Sequence, residues 1–84
     1  MITKKMNVKL PSGLAARPIA VLVQIASQFE SEIHIECENK KVNAKSIMGM
    51  MSLTLTAGEE VTVVAEGNDE SKAIEGIEQY LCRQ

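Results

Sequence analysis

Hydrophobic residues recur along this 84-residue chain with two different periods, and each period predicts one kind of element. Four segments show the two-residue alternation of half-buried β-strands, namely residues 5–10, 32–38, 41–43 and 60–66. Three others show the three- and four-residue spacing of a helix with one apolar face: residues 18–29, residues 46–53, and a last segment capped by Asn68 or Asp69. The predicted order of elements is therefore β-α-β-β-α-β-α.

The alternation also predicts which side chains face the core. In the strands these are Met6, Val8, Leu10, Ile33, Ile35, Cys37, Val61, Val63 and Ala65. In the first and last helices they are Ile19, Leu22, Val23, Ala26, Phe29, Ala73, Ile74, Ile77 and Leu81. We therefore expect a single α+β domain over residues 1–84, an open-faced β-sandwich with three helices on one face of a four-stranded antiparallel sheet.

Composition and charge exclude several classes of function. The net charge is −2, and the basic N-terminal third is too sparse and too poor in aromatic residues for a nucleic-acid surface. No apolar run has the length of a membrane helix, and the N-terminus has no signal-peptide pattern. Cys37 and Cys82 suggest neither a disulfide scaffold nor a metal site. We expect a cytoplasmic protein with no metal, no cofactor and no direct nucleic-acid or membrane partner.

His34 is the only histidine, so any imidazole chemistry would have to use it. Strand alternation places it on the solvent face between Glu32 and Glu36, with no nucleophile or phosphate-binding loop nearby in the sequence. No serine lies in a context typical of nucleophilic catalysis. The sequence therefore predicts no catalytic residue and a protein that is not an enzyme.

Ser46 stands directly before the short apolar segment of the second helix. A serine hydroxyl in this position accepts a hydrogen bond from a backbone N–H that has no partner within the helix. The same end of a helix tolerates an anion, because free N–H groups and the helix dipole point towards it. Two roles are open on this basis: a plain helix cap, or a cap that also accepts a phosphate.

The second helix has more apolar side chains than one face of two turns can bury. Helical spacing allows Met50 and Leu53 to point inward and leaves Ile47, Met48 and Met51 towards solvent. Exposed methionines, which are flexible and polarisable, are typical of protein-binding surfaces. The alternative is that all these side chains belong to the core.

Two motifs resemble the HPr family, the histidine-containing phosphocarriers of the bacterial sugar phosphotransferase system. Residues 13–18, Gly-Leu-Ala-Ala-Arg-Pro, resemble the family's phosphorylation loop, Gly-Leu/Ile-His-Ala-Arg-Pro. Residues 42–53 resemble the regulatory-serine segment of Gram-positive members, and the likeness runs over nearly the whole chain. The family's phosphorylatable histidine falls at Ala15, whose methyl group cannot carry phosphate, whereas Gly13, Arg17 and Pro18 match the pattern.

The resemblance implies a regulatory function rather than phosphotransfer. The family's catabolite-repression HPr-like proteins in bacilli also lack the histidine and keep the serine, although glutamine is usual where this chain has Ala15. The resemblance implies phosphorylation of Ser46 by the HPr kinase/phosphorylase and a corepressor role with the catabolite control repressor. In that role Arg17 and Lys45 would contact the phosphate or the repressor, beside Ile47, Met48 and Met51. The alternative is an HPr phosphocarrier whose histidine is replaced by Ala15, and a homodimer through open sheet edges is also considered.

Overall fold

The computed structural model describes residues 1–9, 16–37, 40–52 and 58–82, with the backbone alone for residues 16 and 17. It confirms the predicted order of elements. These are β1 (Ile2–Asn7), α1 (Ala16–Ser27), β2 (Glu32–Cys37), β3 (Lys40–Asn43), α2 (Ile47–Met51), β4 (Glu60–Glu66) and α3 (Glu70–Leu81).

The strands form one antiparallel sheet in the order β1-β4-β2-β3. Inward residues of the two central strands, such as Ile35 and Val63, are fully buried, whereas their alternate neighbours His34 and Val64 are partly accessible. All three helices cover the buried face, with α3 against β1 and β4 and with α1 against both other helices. The predicted open-faced α+β architecture, with three helices on one side of a four-stranded sheet, is confirmed.

The core is aliphatic, since the chain has only one Phe, one Tyr and no Trp. The predicted inward positions are confirmed for its buried members Met6, Val8, Ile19, Leu22, Ala26, Ile33, Ile35, Val61, Val63, Ala65, Ala73, Ile74, Ile77 and Leu81. Val23, Phe29 and Cys37 are partly buried against it. Leu10 and Leu53 lie outside the described residues.

The first strand begins earlier than predicted, at Ile2 instead of residue 5, and it ends at Asn7. Its backbone pairs with almost the whole of β4, from Ile2 opposite Ala65 to Asn7 opposite Glu60. Backbone pairing does not depend on side-chain polarity, so the polar residues at the start of β1 did not prevent strand formation. Because these residues are polar, the alternation of hydrophobic and polar positions did not predict the first part of the strand.

The first helix also differs at both ends. It begins at Ala16, so Arg17 lies in its first turn and not before it; Pro18 is tolerated there because the first N–H groups of a helix have no intrahelical partner. It ends at Ser27, and the Phe29 N–H donates to the Ala26 carbonyl in a tightened last turn, 3.2 Å. Phe29 therefore lies just beyond the helix, partly buried against the core, and is not part of the helix.

The carboxylate of Asp69 joins the segment between α1 and β2 to the start of α3. Asp69 occupies the N-cap position of α3, but it makes no side-chain cap hydrogen bond. Its oxygens instead accept from the backbone N–H groups of Glu30 and Ser31, each at 2.9 Å, and from the hydroxyl of the buried Ser31. Asp69 therefore ties the start of β2 to the start of α3.

This junction should make stability depend on pH in the acidic range. Hydrogen bonds from the Ser31 hydroxyl first, and then from the Glu30 N–H, lower the pKa of Asp69 below its ordinary value of 3.8. A carboxyl whose pKa is lowered by folding contributes stability above its unfolded pKa and loses that contribution as the pH falls through the folded pKa. We expect Asp69→Asn to be less stable than the parent at pH 6, with a difference that shrinks below about pH 4. Urea unfolding at several pH values measures it; a difference independent of pH would contradict the assignment.

Candidate functional site

Ser46 caps the second helix, as predicted. Its backbone is extended, with φ −105° and ψ 114°, which is typical of an N-cap. Its hydroxyl accepts a hydrogen bond from the Gly49 N–H at 3.2 Å, while its carbonyl accepts from the Met50 N–H at 2.9 Å. A Cβ on residue 49 would stand 3.4 Å from the Ser46 Oγ, in ordinary contact. The hydroxyl therefore has a defined direction at the start of α2, on a residue that is half-buried.

The other end of α2 is also closed by side chains. The Ser52 hydroxyl donates to the Gly49 carbonyl at 2.6 Å, and the Lys40 ammonium donates to the Ser52 carbonyl at 3.3 Å. A cation at the carbonyl end of a helix is favourable. Because a helix of five residues has little stability of its own, these contacts and the burial of Met50 hold it in place.

The outward side of α2 is an apolar surface. Met50 is fully buried, whereas Ile47, Met48 and Met51 are 46%, 83% and 56% exposed. This confirms the predicted facing for these four residues, Leu53 lying outside the described part of the chain, and excludes the alternative in which all of these side chains are core. We call Ile47, Met48 and Met51 the α2 patch. It begins directly beside the Ser46 hydroxyl.

Lys45 does not point to Ser46 in this structure. Its ammonium donates to the backbone carbonyl of Phe29 at 2.6 Å, just beyond the end of α1. Its own N–H donates to the side-chain oxygen of Asn43 at 2.8 Å. Contact between Lys45 and a phosphate on Ser46 stays a prediction, and it requires the ammonium to exchange the Phe29 carbonyl for the phosphate.

The phosphorylation-loop resemblance falls mostly outside the described residues, which exclude Gly13 and Ala15. The backbone places Arg17 in the first turn of α1, and nothing is described of its side chain. The Pro18 carbonyl of the same turn accepts a hydrogen bond from the Tyr80 hydroxyl at 3.3 Å. Partial burial raises the pKa of Tyr80, so it stays a neutral donor at physiological pH. Tyr80, which the sequence did not single out, thus fixes the start of α1 to the last turn of α3.

His34 lies on the outer face of β2, half-buried between its cross-strand neighbours Asn43 and Val64. The sequence prediction of a sheet-surface position is confirmed. Across residues 1–9, 16–37, 40–52 and 58–82 no group of three His, Cys, Asp or Glu residues is arranged to hold a metal ion. Over the same part of the chain, no helix has both the length and the apolar character that crossing a bilayer needs.

Comparison with known proteins identifies one family. The family model for the PTS HPr component phosphorylation site matches residues 2–82. The chain is 52% identical to the HPr-like protein Crh of Halalkalibacterium halodurans over 84 residues, which is the whole of both chains. The crystal structure of the phosphocarrier protein HPr from Bacillus anthracis superposes with a TM-score of 0.92 at 45% identity, covering 95% of each chain. A crystal structure of Bacillus subtilis Crh, which has a swapping domain in a dimer, superposes with a TM-score of 0.79 at 48% identity, covering 100% of this chain and 97% of that one.

These matches span essentially the full chain at identities well above those that share only a fold. The matched structures agree with the predicted fold of this chain. This chain therefore belongs to the HPr family.

Proposed function

We propose that this protein is a regulatory HPr-family member, phosphorylated on Ser46 by the HPr kinase/phosphorylase, which then binds the catabolite control repressor as a corepressor in carbon catabolite repression. The observation that carries the proposal is the position of the Ser46 hydroxyl, held at the start of α2 directly beside the exposed α2 patch. Similarity to proteins named HPr-like protein Crh supports the regulatory branch of the family. Ala15 supports it further, because alanine cannot carry phosphate.

The geometry suits a modification that adds charge without disturbing the fold. A phosphate on Ser46 adds roughly −1.5 to −2 of charge at neutral pH. It would stand at the end of α2 where backbone N–H groups lack intrahelical partners, and each such contact is worth up to about 1 kcal/mol at an exposed site. The α2 patch next to it offers apolar surface for the repressor. Arg17, and Lys45 after release from Phe29, would contact the phosphate or the repressor.

The proposal is tested by incubating the protein with the HPr kinase/phosphorylase and ATP and locating the phosphate by mass spectrometry. We expect one phosphate on Ser46 in the parent and none in Ser46→Ala. Titration calorimetry should then find repressor binding only for the phosphorylated parent. Ser46→Asp, with a single charge and fewer acceptor oxygens, should bind weakly. Equal affinity of the unmodified, phosphorylated and Ser46→Ala proteins would leave Ser46 as a helix cap alone, with a loss of about 1 kcal/mol of stability in Ser46→Ala.

Phosphotransfer separates the regulatory proposal from its alternative, a phosphocarrier HPr whose histidine is replaced by Ala15. We expect no phosphate on the present chain from phosphoenolpyruvate and enzyme I, since His34 lies on the open sheet face. Ala15→His should restore some acceptance, because Gly13, Arg17 and Pro18 keep the family's loop pattern. Labelled phosphoenolpyruvate measures both. Phosphate on His34, or none on a folded Ala15→His variant, would contradict this view of the loop.

A second copy of this chain is also proposed as a partner. The strand β1 lies at one edge of the sheet and pairs only with β4, so among the described strands it is one of two with an open side. The structure of Bacillus subtilis Crh as a dimer with a swapping domain supports the proposal. Sedimentation velocity over a series of concentrations should resolve a dimer. A single monomeric species at every concentration would exclude it.

A further inference from the structure

The five methionines of this chain divide into two groups by exposure. Met6 and Met50 are 3% and 0% exposed, whereas Met1, Met48 and Met51 are 72%, 83% and 56% exposed. Met48 and Met51 stand on the same face of α2 as Ile47, beside Ser46, and Met50 lies between them in sequence but points into the core. A peroxide must reach the thioether sulfur to oxidise it, so the exposed Met51 and its buried neighbour Met50 should differ greatly in reactivity.

We propose that Met48 and Met51 form a reversible oxidation site that controls the α2 patch. The oxidant is a hydroperoxide. A lone pair of the thioether sulfur attacks the outer peroxide oxygen, an S–O bond forms, and the O–O bond breaks. The proton of the attacked oxygen passes to the departing oxygen, which leaves as an alcohol, or as water when the oxidant is hydrogen peroxide. The attacked oxygen stays on the sulfur as the sulfoxide, and the sulfur has lost two electrons to the peroxide. A methionine sulfoxide reductase reverses the change with a thiol as the electron donor.

Oxidation changes the patch without removing what holds α2. The sulfoxide is a polar, hydrogen-bonding group in place of a flexible apolar one. The Ser46 cap, the Ser52 and Lys40 contacts and the burial of Met50 involve neither reacting sulfur. Two of the three side chains of the patch would therefore become polar on an intact fold. The effect on the repressor rests on the proposed function; the selectivity of oxidation does not.

Selectivity is tested on the folded, full-length protein with dilute hydrogen peroxide, quenched at intervals and mapped by peptide mass spectrometry. We expect sulfoxide at Met48 and Met51 to form about ten times faster than at Met50 or Met6. Met1 provides an exposed internal standard away from the patch, since its amine pairs with Glu70 of α3 at 2.9 Å. The same reaction in urea should oxidise all five at similar rates. Oxidation of folded Met50 as fast as Met48 would overturn the proposal.

The consequence is tested with the Ser46-phosphorylated protein and the repressor. The parent and the double variant Met48→Leu, Met51→Leu are each compared with themselves before and after peroxide treatment. Leucine keeps the apolar character and the helix propensity but has no sulfur to oxidise. We expect the parent's affinity to fall about tenfold and to return after treatment with the reductase, and we expect no change in the double variant.

The outcomes separate the oxidation site from the proposed function. An unchanged affinity in the oxidised parent, or an equal fall in the double variant, would refute control of the patch by Met48 and Met51. Failure of the untreated phosphorylated parent to bind the repressor would refute the proposed function and the control that depends on it. The peptide map would still decide the oxidation site by itself.

Discussion

Gly67→Ala should destabilise the fold by about 3 kcal/mol, because it adds an atom where the backbone leaves no room. A Cβ on residue 67 would stand 2.6 Å from the Cα and 2.7 Å from the Oγ of Ser31. The Cα is backbone and cannot rotate away, and φ at Gly67 is +154°, which side-chain-bearing residues rarely adopt. The same displacement would pull Ser31 from the Asp69 carboxylate, which joins β2 to α3.

Gly58→Ala provides the matched control. Gly58 also has a positive φ, +93°, but among the described residues, its chain neighbours aside, no atom lies within 4 Å of its ideal Cβ. Backbone strain alone should cost about 1–2 kcal/mol. Urea unfolding of the parent and both variants measures the two costs. Equal losses would mean that conformation, and not contact with Ser31, explains the glycine at position 67.

The strand β4 was predictable to the residue because every local signal agrees over Glu60–Glu66. Three inward residues alternate with polar or accessible ones, and glycines flank the strand on both sides. The start of β1 was not predictable in this way. Lys4 stands opposite Val63, on the helix side of the sheet, where its ammonium pairs with Glu78 of α3 at 2.6 Å. A lysine at a position on the helix side of the sheet breaks the alternation of hydrophobic and polar residues on which the prediction depends, and its long side chain carries the charge to an acidic partner.

In the candidate site, too, features that depend on neighbouring residues were predicted and contacts between distant residues were not. The Ser46 cap and the facing of α2 follow from residues within one or two turns, so the sequence predicted them. The hydrogen bond from Lys45 to the Phe29 carbonyl joins residues 16 positions apart, and the hydrogen bond from Tyr80 to the Pro18 carbonyl joins residues 62 positions apart. Such contacts exist only once the helices are packed together. By helix propensity alone, Gly76 weakens α3. In the folded chain a Cβ added to residue 76 would stand only 3.1 Å from the Phe29 ring, so the glycine leaves room for that ring.

Asp69 has a position that the local sequence predicted and hydrogen-bond partners that it did not. The sequence offered Asn68 or Asp69 as the cap of α3, since both residue types are favoured there, and Asp69 occupies the N-cap position without a side-chain cap hydrogen bond. Its carboxylate nevertheless accepts from Glu30 and Ser31, which are 39 and 38 residues away. Three donors held together by the fold satisfy this carboxylate better than the helix N-terminus beside it. Propensity therefore predicted the position of the residue but not its partners.

Met50→Ala should lower the stability of the fold, whereas Met48→Ala, two residues away in the same helix, should lower repressor binding and leave stability almost unchanged. Met50 is fully buried, so its truncation should cost about 2–5 kcal/mol through lost contacts and the cavity left behind. Met48 is 83% exposed, so its truncation should change stability by less than about 0.5 kcal/mol. Because Met48 lies in the α2 patch, the same change should weaken repressor binding by the phosphorylated protein.

Both variants replace methionine with alanine, so helix propensity and chemistry change equally and only the direction of the side chain differs. Alanine favours the helix more than methionine does, which makes a loss of α2 a poor explanation for weaker binding by Met48→Ala. Urea unfolding gives the stabilities, and calorimetry with the phosphorylated proteins gives the affinities. A loss of several kcal/mol in Met48→Ala would place that side chain in the core. Unchanged stability and unchanged binding together would remove Met48 from the docking surface and leave Ile47 and Met51 to supply it.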